Sequence, residues 1–134
     1  MPQTAREEPL KLIQVAQYAE DLERASAFYS QLLEAEPRAV FDPPGLLFFD
    51  LGGVRLLLER GAPSSLFYLE VADIHGRIED LRRRGVRIIT DPHVIFTHED
   101  ERLGPAGSEE WMAFFEDSEG NTVGLVSRMR AAGD

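Results

Sequence analysis

The sequence predicts an α+β chain built from two tandem βαβββ modules, and three observations point to it. An amphipathic segment opens at Ala19-Glu20-Asp21-Leu22 and another at Ala72-Asp73-Ile74, with the two aspartates 52 residues apart. The apolar run Val54-Arg55-Leu56-Leu57-Leu58-Glu59-Arg60 is echoed 68 residues later by Thr122-Val123-Gly124-Leu125-Val126-Ser127-Arg128. Each run follows a strand-like stretch holding a phenylalanine pair, Phe48-Phe49 and Phe114-Phe115. Two copies of one supersecondary unit account for all three.

The elements follow in order. Residues 11–19 alternate Leu12, Gln14, Ala16 and Tyr18 against Ile13, Val15 and Gln17, the period of a strand. Asp21 stands where a helix N-cap is needed, and Leu22, Ala25, Phe28, Tyr29, Leu32 and Leu33 give the buried stripe of that helix, which Pro37 closes. A short strand at 38–42 meets the turn Pro43-Pro44-Gly45. Strands at 46–51 and 54–60 flank Gly52-Gly53, the signature of a β-hairpin. Gly61 to Ser64 reads as the joint between halves. The second half then offers a strand at 66–71, a helix capped by Asp73 with Ile74, Ile78 and Leu81 inward, and a stop at Gly85. A strand at 86–90 turns at Asp91-Pro92, a further one is expected at 93–96, and a polar loop covers 97–108. A final hairpin joins 111–115 to 122–127. The modules therefore span 10–60 and 65–129 of one domain covering 10–129, between a flexible N-terminal arm (1–9) and a C-terminal tail (130–134).

Composition excludes several function classes. The net charge of −10 opposes the basic footprint that nucleic acid requires, and it disfavours an anionic membrane surface. With no cysteine, disulfide scaffolds, thiol catalysis and thiolate metal sites fall away. No apolar run approaches the roughly 18 residues of a membrane helix, and the N-terminus lacks the pattern of a signal peptide, so a cytoplasmic location is expected. Neither a Ser-His-Asp arrangement nor a phosphate loop nor a dinucleotide fingerprint is present.

Three motifs carry a family resemblance. Asp21-Leu22, Ala25-Ser26-Ala27-Phe28-Tyr29 and Leu32-Leu33 follow the pattern D-L-x-x-A-x-x-F-Y-x-x-x-L. Val71-Ala72-Asp73-Ile74 with Leu81 and Gly85 repeats it in shorter form, and Phe115-Glu116-Asp117-Ser118-Glu119-Gly120-Asn121 is similar to F-x-D-P-x-G-N. In this order and over residues 10–129 they resemble the vicinal oxygen chelate superfamily, the group of glyoxalase I, bleomycin resistance proteins, extradiol dioxygenases and methylmalonyl-CoA epimerase. The resemblance implies that the modules form a cupped mixed sheet enclosing the site. It also implies four metal-ligand positions, which fall here on Gln14, Leu56, Leu66 and Gly124. Divalent metals need imidazole, carboxylate or amide oxygen, and only Gln14 offers a donor. A one-residue slip would bring in Arg55 or Val123, which are no better, so no metal and no other cofactor is expected.

Strand alternation places Leu12, Ala16, Tyr18, Val54, Leu58, Tyr68, Glu70, Thr122 and Val126 beside those four positions. Such a lining, apolar with a few polar handles, suits a small-molecule pocket, and equally a filled core. Gly124 removes volume and favours a cavity. His75 is expected on the exposed side of its helix. His93 and His98, with Glu99 and Asp100, suggest an alternative metal site, but a spacing of five on a strand puts the two imidazoles on opposite faces. Trp111 and Met112 are candidates for stacking on a ligand or for a core or dimer contact, and Glu109 and Glu110 read as solvated. The expectation is thus a metal-free, small-molecule-binding homodimer. Its ligand would touch Gln14, Leu56, Leu66, Tyr68, Glu70, His93, Trp111 and Gly124, and no catalytic residue is assigned. A metal-dependent lyase, isomerase or dioxygenase of the superfamily is the alternative, and a degenerate dimerisation or regulatory module is the third.

Overall fold

In the computed structural model, which describes residues 9–130, each half of the chain completes a βαβββ unit, and the chain divides after Pro63 into two compact units. The first holds β1 (Gln14–Tyr18), α1 (Leu22–Leu33), β2 (Ala39–Phe41), β3 (Leu46–Leu51) and β4 (Val54–Glu59). The second holds β5 (Tyr68–Glu70), α2 (Ile74–Arg83), β6 (Ile88–Thr97), β7 (Ser108–Glu116) and β8 (Thr122–Arg130). Each forms a four-stranded mixed sheet, ordered β1-β4-β3-β2 and β5-β8-β7-β6. In each, the first strand runs parallel to the last and the other pairs are antiparallel. The expected arm and tail lie, but for Pro9 and Arg130, outside the described residues. Among those residues, no helix is long and apolar enough to cross a membrane.

Local chemistry sets the element ends. The Asp21 carboxylate accepts from Arg24 N at 3.0 Å and Asp73 from Gly76 N at 3.0 Å, satisfying N–H groups that the first helical turn leaves open. Helix α1 ends before Pro37, where Glu34 turns left-handed and Ala35 N returns to Ser30 O. Gly52 and Gly53 both have positive φ (62° and 97°), the backbone of a two-residue hairpin whose twist matches its strands. The Asp117 to Asn121 turn is built by one side chain. Asp117 Oδ1 accepts from the N–H groups of Glu119 and Asn121, each at 2.8 Å, and Oδ2 from Asn121 Nδ2 at 2.9 Å. The residues that carry the third family motif thus close the β7–β8 hairpin.

Three differences from the sequence reading have physical reasons. Residues 88–97 form one strand, not two, running through Asp91-Pro92. Strand β6 is the sheet edge, where a proline's missing N–H need cost no ladder bond, and three register shifts absorb the irregularity. The final hairpin is longer at its open end, from Ser108 to Arg130. Finally, the modules superpose at 67 residues in their last strands rather than 68. Ala16 pairs with Leu57, and Tyr68, its counterpart 52 residues on, pairs with Gly124. Matching Arg60 to Arg128 compared strand ends of unequal length.

That single residue reverses a face, because side chains alternate with period two. Leu56 pairs with Val15 and Phe49, and Leu58 pairs with Gln17 and Leu47. All of these lie on the side of the sheet covered by α1, where Tyr29 meets the Phe49 ring at 6.4 Å. Leu56 and Leu58, expected beside Gln14, are instead buried with the α1 stripe Leu22, Ala25, Tyr29 and Leu32. The neighbours of Gln14 on the uncovered face are Arg55, Leu57 and Ala16.

Candidate ligand-binding face of the second unit

The face of the second sheet turned away from α2 is read from the ladder. Gly124, Val126 and Arg128 alternate along β8. Across from them stand Phe114, Met112 and Glu110 of β7, with Tyr68 and Glu70 of β5 on the other side. Tyr68, Glu70, Glu110, Met112, Val126 and Arg128 line an open depression of about 330 Å³, at the small end of ligand-sized cavities.

One end of the depression is aromatic. A Cβ built on Gly124 would stand 2.6 Å from Tyr68 Cδ2, 2.9 Å from Tyr68 Cε2 and 3.1 Å from Phe114 Cε1. The volume released by Gly124 is therefore taken by the Tyr68 ring rather than left as a cavity, which corrects the sequence reading. Phe114 meets that ring edge-on at 5.9 Å, and Tyr68 remains 48% exposed. A ring held from below with surface left open is a platform for another apolar or aromatic group.

The other end is charged. Glu110 is only 8% exposed, and its Oε1 accepts from His98 Nε2 at 2.8 Å and Arg128 Nε at 3.3 Å. Arg128 also reaches Glu70 Oε2, at 3.4 Å from its Nη1. Both bonds to Glu110 fall on the same oxygen, and Glu110 also lines the depression. His98 is 4% exposed, just beyond the end of β6, with the Phe96 ring at 4.7 Å and Gly104 of the following loop packed on it. In that loop the Arg102 guanidinium, bonded to Asp100 at 2.9 Å, holds the Asp100 carboxyl below the usual range.

Of the sequence-predicted residues, the fold brings together Tyr68, Glu70 and Gly124. His93 is exposed on β6, opposite Met112, with Nδ1 2.9 Å from Asp91 O. Trp111 lies on the helix-facing side, its ring 4.9 Å from His75 of α2. Leu56 is in the α1-facing core, and Leu66 precedes β5, exposed. Gln14 lies in the first unit, where its Oε1 accepts from Arg55 Nε at 2.9 Å. Sequence reasoning named Met112 beside Trp111 but missed Glu110 and Arg128. Glu110, expected to be solvated, is buried on His98, while its neighbour Glu109 accepts from Trp111 Nε1 at 3.2 Å. The signal was present, since Glu110 and Arg128 stand equal steps from the closing turn and so face each other in an antiparallel hairpin.

The corrected register changes one member of the set that the resemblance assigns to a metal, giving Gln14, Leu57, Leu66 and Gly124. Two are hydrocarbon, one has no side chain, and the oxygen of the fourth holds a guanidinium. This donor set does not fit a divalent metal.

The paired βαβββ units, each with a mixed sheet and one covering helix, define the class of fold. Residues 11–125 match the Glyoxalase/Bleomycin resistance protein/Dioxygenase superfamily, and the chain belongs to that superfamily. A glyoxylase-like domain-containing protein of Didymella fabae is 31% identical over 122 residues, covering 82% of this chain and 88% of that protein. Among solved structures, the lactoylglutathione lyase from Agrobacterium tumefaciens shares 20% identity and a TM-score of 0.65 over 90% of this chain and 95% of its own. A glyoxalase/bleomycin resistance protein/dioxygenase from Alicyclobacillus acidocaldarius gives 20% and 0.61, over 90% and 93%. At this identity the solved structures speak for the fold.

Proposed function

We propose that this chain is a metal-free member of the superfamily that binds a small molecule on the uncovered face of its second unit. The observation that carries the reading is the depression itself. It has an exposed aromatic platform at Tyr68, apolar walls at Met112 and Val126, and a buried carboxylate with one oxygen unengaged. Apolar surface with a few placed polar groups is the usual make-up of a small-molecule site. The metal-free part rests on donor chemistry, because Leu57, Leu66 and Gly124 supply no ligand atom and Gln14 is engaged by Arg55. Under the same reading the chain pairs with a second copy of itself, and sedimentation should return the mass of a dimer.

The test is elemental analysis of protein purified without chelator or histidine tag, before and after soaking in Zn²⁺, Ni²⁺, Mn²⁺ or Fe²⁺. Sub-stoichiometric metal throughout is the expected result. One equivalent of a single metal would overturn the reading and put a lyase, isomerase or dioxygenase in its place.

A further inference from the structure

The depression is graded along its length, and the gradient says what it would hold. On β8 it is lined by Val126 and Arg128, and Tyr68, which pairs with Gly124, bounds its other end, so it runs from the level of Gly124 to Arg128, about 13 Å at the usual strand rise. Beside Gly124 stand Tyr68 and Phe114, beside Val126 stand Met112 and Glu70, and beside Arg128 stands Glu110. The order along the strand is aromatic, then apolar, then charged.

The sign of the charged end follows from its partners. Glu70, Arg128 and Glu110 contribute two negative charges and one positive. Glu110 lines the depression, and its Oε2 is the oxygen that neither His98 nor Arg128 engages. A carboxylate oxygen only accepts, so its complement is an N–H donor, and a charged donor makes the stronger bond. Resting on the proposed function, we infer that the ligand class is an elongated aryl-alkyl cation, with its ring on Tyr68, its chain over Met112 and Val126, and its ammonium or amidinium nitrogen on Glu110 Oε2.

Three probes separate the terms of this proposal at pH 7: phenylbutylamine, phenylbutyrate and benzylamine. The readout is the backbone amide spectrum of the whole chain at Gly124, Val126, Arg128 and Glu110. Phenylbutylamine is expected to shift these amides saturably, and benzylamine, too short to span the gradient, to bind roughly tenfold more weakly. Glu110→Gln keeps the shape and an acceptor but removes the charge, and should weaken phenylbutylamine by roughly tenfold or more. If that variant does not fold, Tyr68→Ala on the exposed platform is expected to weaken it comparably. An equal or larger response to phenylbutyrate would overturn the cationic class while leaving the small-molecule reading in place. Silence of these amides towards all three probes would overturn both.

Discussion

The ring of Tyr68 occupies the space that a side chain at position 124 would need. A Cβ there would approach Tyr68 Cδ2 to 2.6 Å and Phe114 Cε1 to 3.1 Å. Gly124→Ala must therefore move the ring. Tyr68 is 48% exposed and can swing outward, so the overpacking cost should sit near the low end, about 1 kcal/mol. Adding a methyl to a residue without positive φ also restricts the unfolded chain, which offsets part of that cost. Thermal or urea unfolding should register a small loss, and the tyrosine near-ultraviolet dichroism a large change. In a Tyr68→Ala background, Gly124→Ala should be neutral or stabilising. Equal effects in both backgrounds would disprove the contact.

Asp117 closes the β7–β8 turn by accepting from Glu119 N, Asn121 N and Asn121 Nδ2, while itself only 6% exposed. Asp117→Ala leaves two backbone N–H groups and the Asn121 amide without their acceptor. Each buried donor left unmade costs about 1–3 kcal/mol, and water relieves part of this at a turn, so a loss of about 3 kcal/mol is expected. Because β7 and β8 carry the depression, the same variant should broaden the amide resonances of Gly124 and Val126. A loss under about 1 kcal/mol would mean that the turn holds without its side chain.

In α2, Asp80 is hydrogen-bonded by Arg84 one turn on, and that bond holds its carboxyl below the ordinary value of 3.8. A depressed folded value stabilises the protein above the unfolded value, and the benefit is lost as pH falls through the folded one. The contribution should thus be complete above pH 3.8 and absent in stronger acid. The pair is solvent-exposed, so salt should screen it. Arg84→Gln should raise the Asp80 titration midpoint towards 3.8 when followed by carboxyl-resonance titration, and added salt should do the same in the parent chain. An unchanged midpoint in the variant would remove Arg84 as the cause.

The fold was legible in the sequence because its signals are local: aspartate caps, a Gly-Gly hairpin, and helical stripes such as Leu22, Ala25, Tyr29 and Leu32. The site was legible only in part, because it depends on which face a strand residue takes, and that is set by register across the chain. Tyr68, Glu70 and Gly124 could be found from the module repeat. Leu56 was misplaced because one residue of offset exchanges the core face for the open face. Glu110 was hidden by its type, since an acidic residue beside another acidic residue reads as solvated. What buries it is a histidine twelve positions away and an arginine eighteen positions away.

Burial of that histidine raises the cost of the same substitution at Gly104. A Cβ on Gly104 would stand 2.8 Å from His98 Cε1, 3.0 Å from His98 Nε2 and 3.1 Å from Arg128 Cδ. The nearest approach, 2.8 Å, is a little longer than the 2.6 Å at Gly124, and Gly104 also lacks a positive φ, so neither distance nor backbone strain makes Gly104 the costlier site. The obstructing rings differ. Tyr68 can turn into solvent, whereas His98 is 4% exposed and tied to Glu110 at 2.8 Å. Gly104→Ala must either lift the loop or break that bond and leave a buried carboxylate short of a donor. Its cost should reach about 3 kcal/mol, well above that of Gly124→Ala. His98→Ala alone is also destabilising, because it removes both packing and a hydrogen bond. Adding Gly104→Ala to it should cost little more, since the obstructing ring is gone. Urea unfolding of the four chains measures this coupling directly, and full additivity would show that Gly104 does not rest on His98.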